Sequence, residues 1–97
     1  MKKIISTFIF MTTLSIASGQ SLYKVCTVCH GESGELQALH KSALIQGQDI
    51  NKTIKQLIAY KNGELDQYGL GNIMNMQLQS LSENDIKDLA QYISELK

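Results

Sequence analysis

Residues 25–31, with the sequence VCTVCHG, concentrate three side chains that are able to bind a metal or a cofactor. Cys26, Cys29 and His30 fall within five positions, and the chain of 97 residues has no other cysteine. Thiolate sulfur and imidazole nitrogen are good metal ligands, and two thiols at this spacing also form disulfides or covalent bonds to cofactors. The segment therefore indicates a zinc site, a redox-active dithiol, a structural disulfide or the anchor of a larger group.

The surrounding sequence argues against the first three of these chemistries. A structural zinc site needs four ligands, and His40 is the only nearby candidate for the fourth. A thioredoxin-like dithiol needs a preceding strand, and no strand pattern precedes Cys26. A disulfide between Cys26 and Cys29 would suit an exported protein but would close only a very small loop.

The remaining chemistry is covalent attachment of a c-type haem through the CxxCH motif. The thiols of Cys26 and Cys29 then add to the haem vinyl groups as thioethers, and His30 supplies its imidazole to the iron. The second axial position requires another ligand or stays open. Met74, Met76, His40 and Lys61 are the candidates for it.

The first 19 residues have the layout of a secretory signal peptide. Lys2 and Lys3 precede an apolar run over residues 4–16, which is shorter than the roughly 18 residues that span a bilayer. Cleavage after Ala17 or after Gly19 satisfies the small-x-small rule. We therefore expect export to the periplasm and no stable membrane insertion after processing.

Composition narrows the possible partners of the exported chain. Loss of Lys2 and Lys3 leaves seven basic residues against nine acidic ones, and the sequence contains no arginine. A mildly acidic protein without arginine is a poor match for nucleic acid. A domain this small also needs a disulfide, a metal or a bound cofactor to stabilise it.

Apolar periodicity predicts an all-α fold with three clear helices. The last covers roughly residues 83–96, with Ser82 as N-cap, Asp85 at the third helical position and a hydrophobic staple between Leu81 and Ile86. A second runs from an N-cap at Asp49 to residue 62, and a short first helix covers roughly residues 21–29. The connections 31–48 and 63–81 are predicted to be long loops, of the kind that wrap around a non-protein group.

These features together resemble the small class I mono-haem cytochromes c, close to the bacterial cytochrome c-553 type. The resemblance covers nearly all of the chain after the leader, so residues 20–97 are expected to form one cytochrome c domain. The motifs that carry it are Gly19-x-x-x-Tyr23, CTVCHG (26–31), ALHKSALIQG (38–47), LIAYKNG (57–63), YGLGNIM (68–74) and LSENDIKDLAQYISEL (81–96).

The resemblance implies three to five helices wrapped around one covalently bound haem c. It also implies a close crossing of the first and last helices through Gly19 and Tyr92, which favours cleavage after Ala17. Its axial methionine matches Met74, with Met76 as second choice. Where relatives carry a proline whose carbonyl accepts a hydrogen bond from the proximal histidine, this chain has Leu44 and contains no proline.

The function that the resemblance implies is one-electron transfer with His30 and Met74 as axial ligands, and no enzymatic activity. Redox partners would be a donor such as a quinol-oxidising complex or dehydrogenase, and an acceptor such as a terminal oxidase or peroxidase. The protein is expected to be a monomer.

One alternative is a five-coordinate haem protein, either a small-ligand sensor or a peroxidase-like enzyme, and another is an interaction module with only a disulfide. Four lysines are candidates for a docking face, or are ordinary solvated side chains: Lys41, Lys52, Lys55 and Lys61.

Overall fold

The computed structural model describes residues 18–97, which form helices and connecting loops without a strand. The predicted signal peptide falls almost entirely outside the described residues. None of the helices in this part of the chain is long and apolar enough to cross a membrane. The helices are α1 (Ser18–Tyr23), α2 (Thr27–His30), α3 (Ile50–Lys61), α4 (Gly71–Leu78) and α5 (Glu83–Ser94), with 3-10 turns at Lys24–Cys26 and Ala38–His40.

The last helix, α5, forms as its sequence predicts. The Ser82 side chain accepts a hydrogen bond from the Asp85 backbone N–H, and the Asp85 carboxylate accepts one from the Ser82 N–H, both at 3.0 Å. This reciprocal capping box satisfies two backbone donors that a helix start leaves free. The apolar stripe of α5 is buried against the rest of the chain through Ile86, Leu89, Ala90 and Ile93.

Helix α3 also begins and ends at the predicted signals. The Asp49 carboxylate caps the N-terminus by accepting from the Lys52 backbone N–H at 3.1 Å. Asn62 is the C-cap, and Gly63 follows with φ of 75°, a conformation that glycine adopts without strain. Helix α3 contributes the buried side chain of Leu57 to the hydrophobic core. Its partly buried side chains Ile54, Ile58 and Tyr60 pack against that core.

The first predicted helix is longer than expected and is not uniform. Helices α1 and α2 are joined by the 3-10 turn Lys24–Cys26, so residues 18–30 form one nearly continuous helical segment. The predicted crossing with α5 is confirmed, since a Cβ atom on Gly19 would lie 2.6 Å from the Asp88 carbonyl oxygen and 3.0 Å from Tyr92 Cβ. Only glycine permits the two backbones to approach this closely.

One prediction about the connections is wrong. Residues 63–81 are not a loop throughout, because they contain the two-turn helix α4. The apolar residues of α4 do not share one face: Leu78 is buried, whereas Ile73 and Met76 are exposed. A helix without an apolar stripe gives no periodic signal, so sequence pattern alone cannot detect it. The other connection, 31–48, is a loop apart from the single turn at Ala38–His40.

The hydrophobic core lies where α1, α3, α4 and α5 meet. Its buried members are Tyr23, Leu57, Leu78, Ile86, Leu89 and Ile93. The rings of Tyr23 and Tyr92 pack at 5.4 Å between centroids and a 45° tilt, next to the Gly19 crossing. Such aromatic pairs add about 0.5–1.5 kcal/mol beyond the area they bury. The core thus joins the segment that carries the CxxCH motif to the last helix.

We expect Gly19→Ala to lower the free energy of unfolding by about 1–3 kcal/mol, as overpacking of a close contact does. The added methyl group would collide with the Asp88 carbonyl, which outweighs the higher helix propensity of alanine. Denaturant titration followed by circular dichroism measures the change. Gln20→Ala, at the exposed neighbouring position, is the control. Equal stability of both variants would contradict the close crossing.

Candidate haem site

His30 ends helix α2 and is held inside the protein. Gly31 follows as C-cap with φ of 84°, donating its N–H to the Thr27 carbonyl at 2.9 Å. The His30 carbonyl accepts from the Leu36 N–H at 3.0 Å, which folds the following loop back onto the motif. The His30 side chain is only 7% exposed. The local backbone therefore turns the imidazole inward.

A buried hydrogen bond fixes this turn against the first helix. The Tyr23 hydroxyl donates to the Gly31 carbonyl at 2.7 Å. Burial raises the pKa of Tyr23 to about 12, so the hydroxyl keeps its proton at neutral pH and remains a donor. Tyr23 also belongs to the hydrophobic core, so the position of His30 is tied to the packing of α1 on α5.

The two cysteines lie one helical turn apart and are free thiols. Both are half-buried. Burial, with a smaller contribution from Cys29, raises the pKa of the Cys26 thiol to about 11. Cys26 is therefore a protonated thiol at neutral pH, which is unlike the low-pKa cysteine of a dithiol oxidoreductase.

The imidazole of His30 is available to an external group. Its Nδ1 is buried and has no hydrogen-bond partner among residues 18–97. Burial lowers the pKa of His30, so the ring is neutral at pH 7 and has a free lone pair. Within residues 18–97, no hydrogen bond joins Nδ1 to the carbonyl of Leu44, the residue that stands where relatives carry proline, and Leu44 itself is 54% exposed. Without proline, the backbone at this position lacks the fixed φ that would hold the carbonyl in place.

His30 and Met74 line one cavity of about 200 Å³ between α2, α3 and α4. Apolar side chains form much of its wall, and it has no acidic side chain. The apolar members are Ala38, Ala43, Ile45, Leu57, Leu70 and Ile93. The wall also includes polar side chains, among them Gln48, Lys52 and Gln56. A cavity that combines apolar side chains with a few polar groups is the type of site that holds a cofactor.

Met76 does not share this cavity, although it is only two residues from Met74. The two side chains lie on different faces of α4, because positions two apart on a helix point in nearly opposite directions. Met74 packs partly buried against the core, whereas Met76 is 72% exposed. Of the two methionines, only Met74 lines the cavity that His30 also lines.

His40 and Lys61, the other candidate ligands, point elsewhere. His40 is exposed and borders a second cavity of about 650 Å³, beside Cys29, Val28 and Leu44. The Lys61 ammonium donates to the Leu81 carbonyl and the residue is half-buried. The ammonium group of Lys61 is therefore not free to contact a partner, so Lys61 drops out of the candidate docking face. The other three candidates, Lys41, Lys52 and Lys55, are exposed.

The competing metal interpretation finds no support in the described part of the chain. Among residues 18–97, no three His, Cys, Asp or Glu side chains converge as they would on a metal ion. A zinc site with Cys26, Cys29, His30 and His40 is thus not formed. The cavity, the free thiols and the unpartnered imidazole instead fit a large planar group that bonds to the CxxCH segment.

Comparison with known sequences agrees with this geometry. Residues 16–97 match the model of the Cytochrome c family. The chain belongs to the cytochrome c family. Two proteins named cytochrome c-553 from Helicobacter pylori are 34% and 35% identical to it over the full length of both chains. A cytochrome c-553 from Nitratidesulfovibrio vulgaris is 33% identical over 82% of this chain and 78% of that protein.

Family membership fixes the cofactor and the general role of the protein. Cytochromes c bind haem c covalently, and Cys26 and Cys29 have the CxxCH spacing of that attachment. The predicted family and the predicted all-helical cytochrome c fold are confirmed. The protein is a haem c electron carrier.

Two residues that shape the site are not predicted by any sequence pattern. Tyr23 belongs to the Gly19-x-x-x-Tyr23 motif, but its hydroxyl bond to Gly31 joins positions eight residues apart through a turn that no pattern predicts. Asn75 was not identified at all, and its side chain bridges α4 to the end of α3. The only feature of the sequence that could have indicated a role for Asn75 is its position directly after Met74, a candidate ligand.

We expect Tyr23→Phe to lower the free energy of unfolding by about 0.5–1.5 kcal/mol, because the Gly31 carbonyl would lose its shorter hydrogen bond and keep only the one from the Gly34 N–H at 3.3 Å. Tyr92→Phe is the matched control, since Tyr92 belongs to the same ring pair and makes no side-chain hydrogen bond within residues 18–97. Denaturant titration measures both. If the two variants lose the same stability, the hydroxyl bond does not hold the motif.

Proposed function

We propose that this haem c electron carrier is an exported, six-coordinate cytochrome that shuttles single electrons between protein partners in the periplasm. In this proposal Cys26 and Cys29 form the thioether bonds, and His30 and Met74 are the axial ligands of the iron. The observation that carries the proposal is the single cavity lined by both His30 and Met74.

The placement of the two cavities supports covalent attachment at this point. The neighbouring residues Cys29 and His30 line different cavities, one largely exposed and the other between the helices. A macrocycle bonded to both residues would reach from the inner cavity to the surface. An electron carrier needs this arrangement, because the haem must be shielded from water yet accessible at one edge.

Haem c supplies a one-electron Fe(III)/Fe(II) couple, and thioether ligation favours the reduced form relative to bis-histidine ligation. In this proposal the protein holds the two axial ligands, keeps water away from the iron and limits the change in structure that accompanies electron transfer. Burial keeps the His30 ring neutral, and the apolar wall of the cavity lowers the local polarity. With both axial positions filled, the site has no open position for a substrate, so we propose that the protein is not an enzyme.

The structure of α1 bears on the proposed processing. Gly19 lies at the crossing with α5, where a Cβ atom would collide with the Asp88 carbonyl oxygen. Cleavage after Gly19 would remove that contact, whereas cleavage after Ala17 would retain it. We therefore propose that residues 1–17 are the signal peptide and that the mature chain begins at Ser18.

The surface beside Cys29 suits a transient redox partner. Val28 is 83% exposed, and Leu39 and Leu44 are 53% and 54% exposed. Electron-transfer complexes bury small interfaces and dissociate readily. We propose that the partner protein contacts this apolar surface next to the cysteine that anchors the haem, and that the exposed Lys41 contributes at its border. A rate of electron transfer to the redox partner that falls in Leu39→Ser would support this contact, and an unchanged rate would argue against it.

Met74→Ala should abolish the weak red charge-transfer band of ferric iron–thioether ligation. It should also lower the reduction potential by roughly 0.1 V or more, part of the ~0.8 V range that axial ligands span. Met76→Ala is the matched control and should leave both properties unchanged. If Met76→Ala abolishes the band instead, the ligand assignment is wrong.

Carbon monoxide binding to the unmodified protein and to Met74→Ala distinguishes the six-coordinate carrier from the five-coordinate alternative. A six-coordinate carrier should not bind carbon monoxide readily in its reduced form, whereas Met74→Ala should bind it. Ready binding by the unmodified protein would indicate a ligand sensor or a peroxidase-like enzyme and would overturn the shuttle proposal.

The periplasmic fraction should contain a mature chain that begins at Ser18 and carries one haem resistant to extraction with acidified acetone. Mass spectrometry measures both features. Cys26→Ser and Cys29→Ser should each reduce the yield of holoprotein severely, because each removes one thioether bond. Val28→Ala, an exposed position between the two cysteines, should accumulate normally. Retention of full haem content in either cysteine variant would contradict the proposed attachment.

A further inference from the structure

Helix α4 carries Met74 but has few apolar contacts to hold it. Only Gly71 and Leu78 are buried in it, and Ile73 and Met76 are 44% and 72% exposed. An isolated helix of eight residues is unstable in water. Contacts with the rest of the chain must therefore fix its position, and several of these contacts are polar.

The central polar contact is made by Asn75, the residue that follows Met74. Its side-chain amide donates to the carbonyl oxygens of Tyr60 and Lys61 at 3.0 and 2.9 Å. Gln79, the C-cap of α4, donates to the same Lys61 carbonyl at 3.2 Å and to the Asn75 carbonyl at 3.0 Å. These bonds bridge elements that are 14 to 18 residues apart in sequence.

The acceptors are the last carbonyls of α3, which a helix leaves without internal partners. Tyr60 O also accepts from the Gly63 N–H at 3.1 Å, but within residues 18–97 the Lys61 carbonyl accepts only from Asn75 and Gln79. An amide donor at a helix C-terminus also meets the negative end of the helix dipole. The end of α3 is thus a defined anchor point for α4.

The position of Asn75 makes this anchor relevant to the iron ligand. Adjacent residues of a helix are separated by about 100° of rotation, so fixing Asn75 fixes the rotation of α4 that directs Met74 into the cavity. At the N-terminal end, the Asp66 carboxylate accepts from the Gly71 N–H at 2.8 Å and limits sliding of the helix along its axis. Without the bonds of Asn75, rotation of α4 would be restrained mainly by Leu78 and Gln79.

We propose that Asn75 is a positioning residue that keeps Met74 on the iron, by clamping α4 to the C-terminal carbonyls of α3. This inference rests on the proposed axial role of Met74. Its predicted consequence is that loss of the clamp increases the fraction of molecules in which Met74 has left the iron, while the haem stays attached.

Binding of imidazole to the ferric holoprotein measures that fraction. Imidazole binds the iron only where Met74 has left, so its apparent dissociation constant is the intrinsic value divided by the fraction of open molecules. Asn75→Ala should increase the apparent affinity about tenfold or more, as expected for loss of two hydrogen bonds to carbonyl groups. Asn72→Ala is the control: Asn72 is exposed on the same helix, and its side chain makes no hydrogen bond within residues 18–97.

A double-mutant cycle separates positioning of Met74 from general loosening of the cavity. In a Met74→Ala background there is no ligand to displace, so Asn75→Ala should leave imidazole affinity unchanged. An equal increase in both backgrounds would overturn the proposal, as would no increase in the protein that retains Met74. Failure of Met74→Ala alone to increase the affinity would instead show that Met74 is not the ligand, and would overturn the proposed function as well.

Asn75→Ser provides a second, milder variant if Asn75→Ala does not accumulate as holoprotein. Serine retains one shorter donor that cannot bridge both carbonyl oxygens, so its affinity for imidazole should lie between those of the unmodified protein and Asn75→Ala. Circular dichroism should show the same helix content in the Asn75→Ser and unmodified proteins at the temperature of the titration. Unchanged affinity in Asn75→Ser alongside intact helices would contradict the clamp.

Discussion

The packing of α5 against α1 and α3 is the interaction on which the rest of the molecule depends. Ile86, Leu89 and Ile93 bury the apolar stripe of α5, and Gly19 lets α1 approach the α5 backbone at Asp88. Tyr23 belongs to this core and also donates to the Gly31 carbonyl. The orientation of His30 is therefore a consequence of helix packing, since α2 alone is a single turn with no stability of its own.

The two sides of the cavity are held by different physical means. On the His30 side, a nearly continuous helical segment is fixed by core packing and one buried hydroxyl bond. On the Met74 side, a short helix with few buried apolar residues is attached to α3 by the side-chain amides of Asn75 and Gln79. Polar clamps are weaker than core packing, so the methionine side is the part of the site that we expect to open first.

This asymmetry agrees with the chemistry expected at the two proposed axial ligands. His30 follows directly after two cysteines that tie the same turn of chain to the macrocycle, so it has little freedom to leave. Met74 has no covalent link to the cofactor and relies on the placement of α4. If Met74 binds the iron as proposed, its thioether tunes the reduction potential, so the contacts that hold α4 would bear on electron transfer.

The sequence by itself determined the features that depend on local chemistry. The CxxCH motif, the capping box at Ser82 and Asp85, the cap at Asp49 and the stop at Gly63 are encoded within a few residues, so their patterns are readable along the chain. Only the tertiary structure decided that residues 71–78 are helical, that Met74 and not Met76 lines the same cavity as His30, and that Leu44 supplies no hydrogen bond to the imidazole. These features depend on contacts between distant segments, such as the contact of Asn75 with the end of α3. No sequence pattern predicts which carbonyl group a single amide side chain will bind.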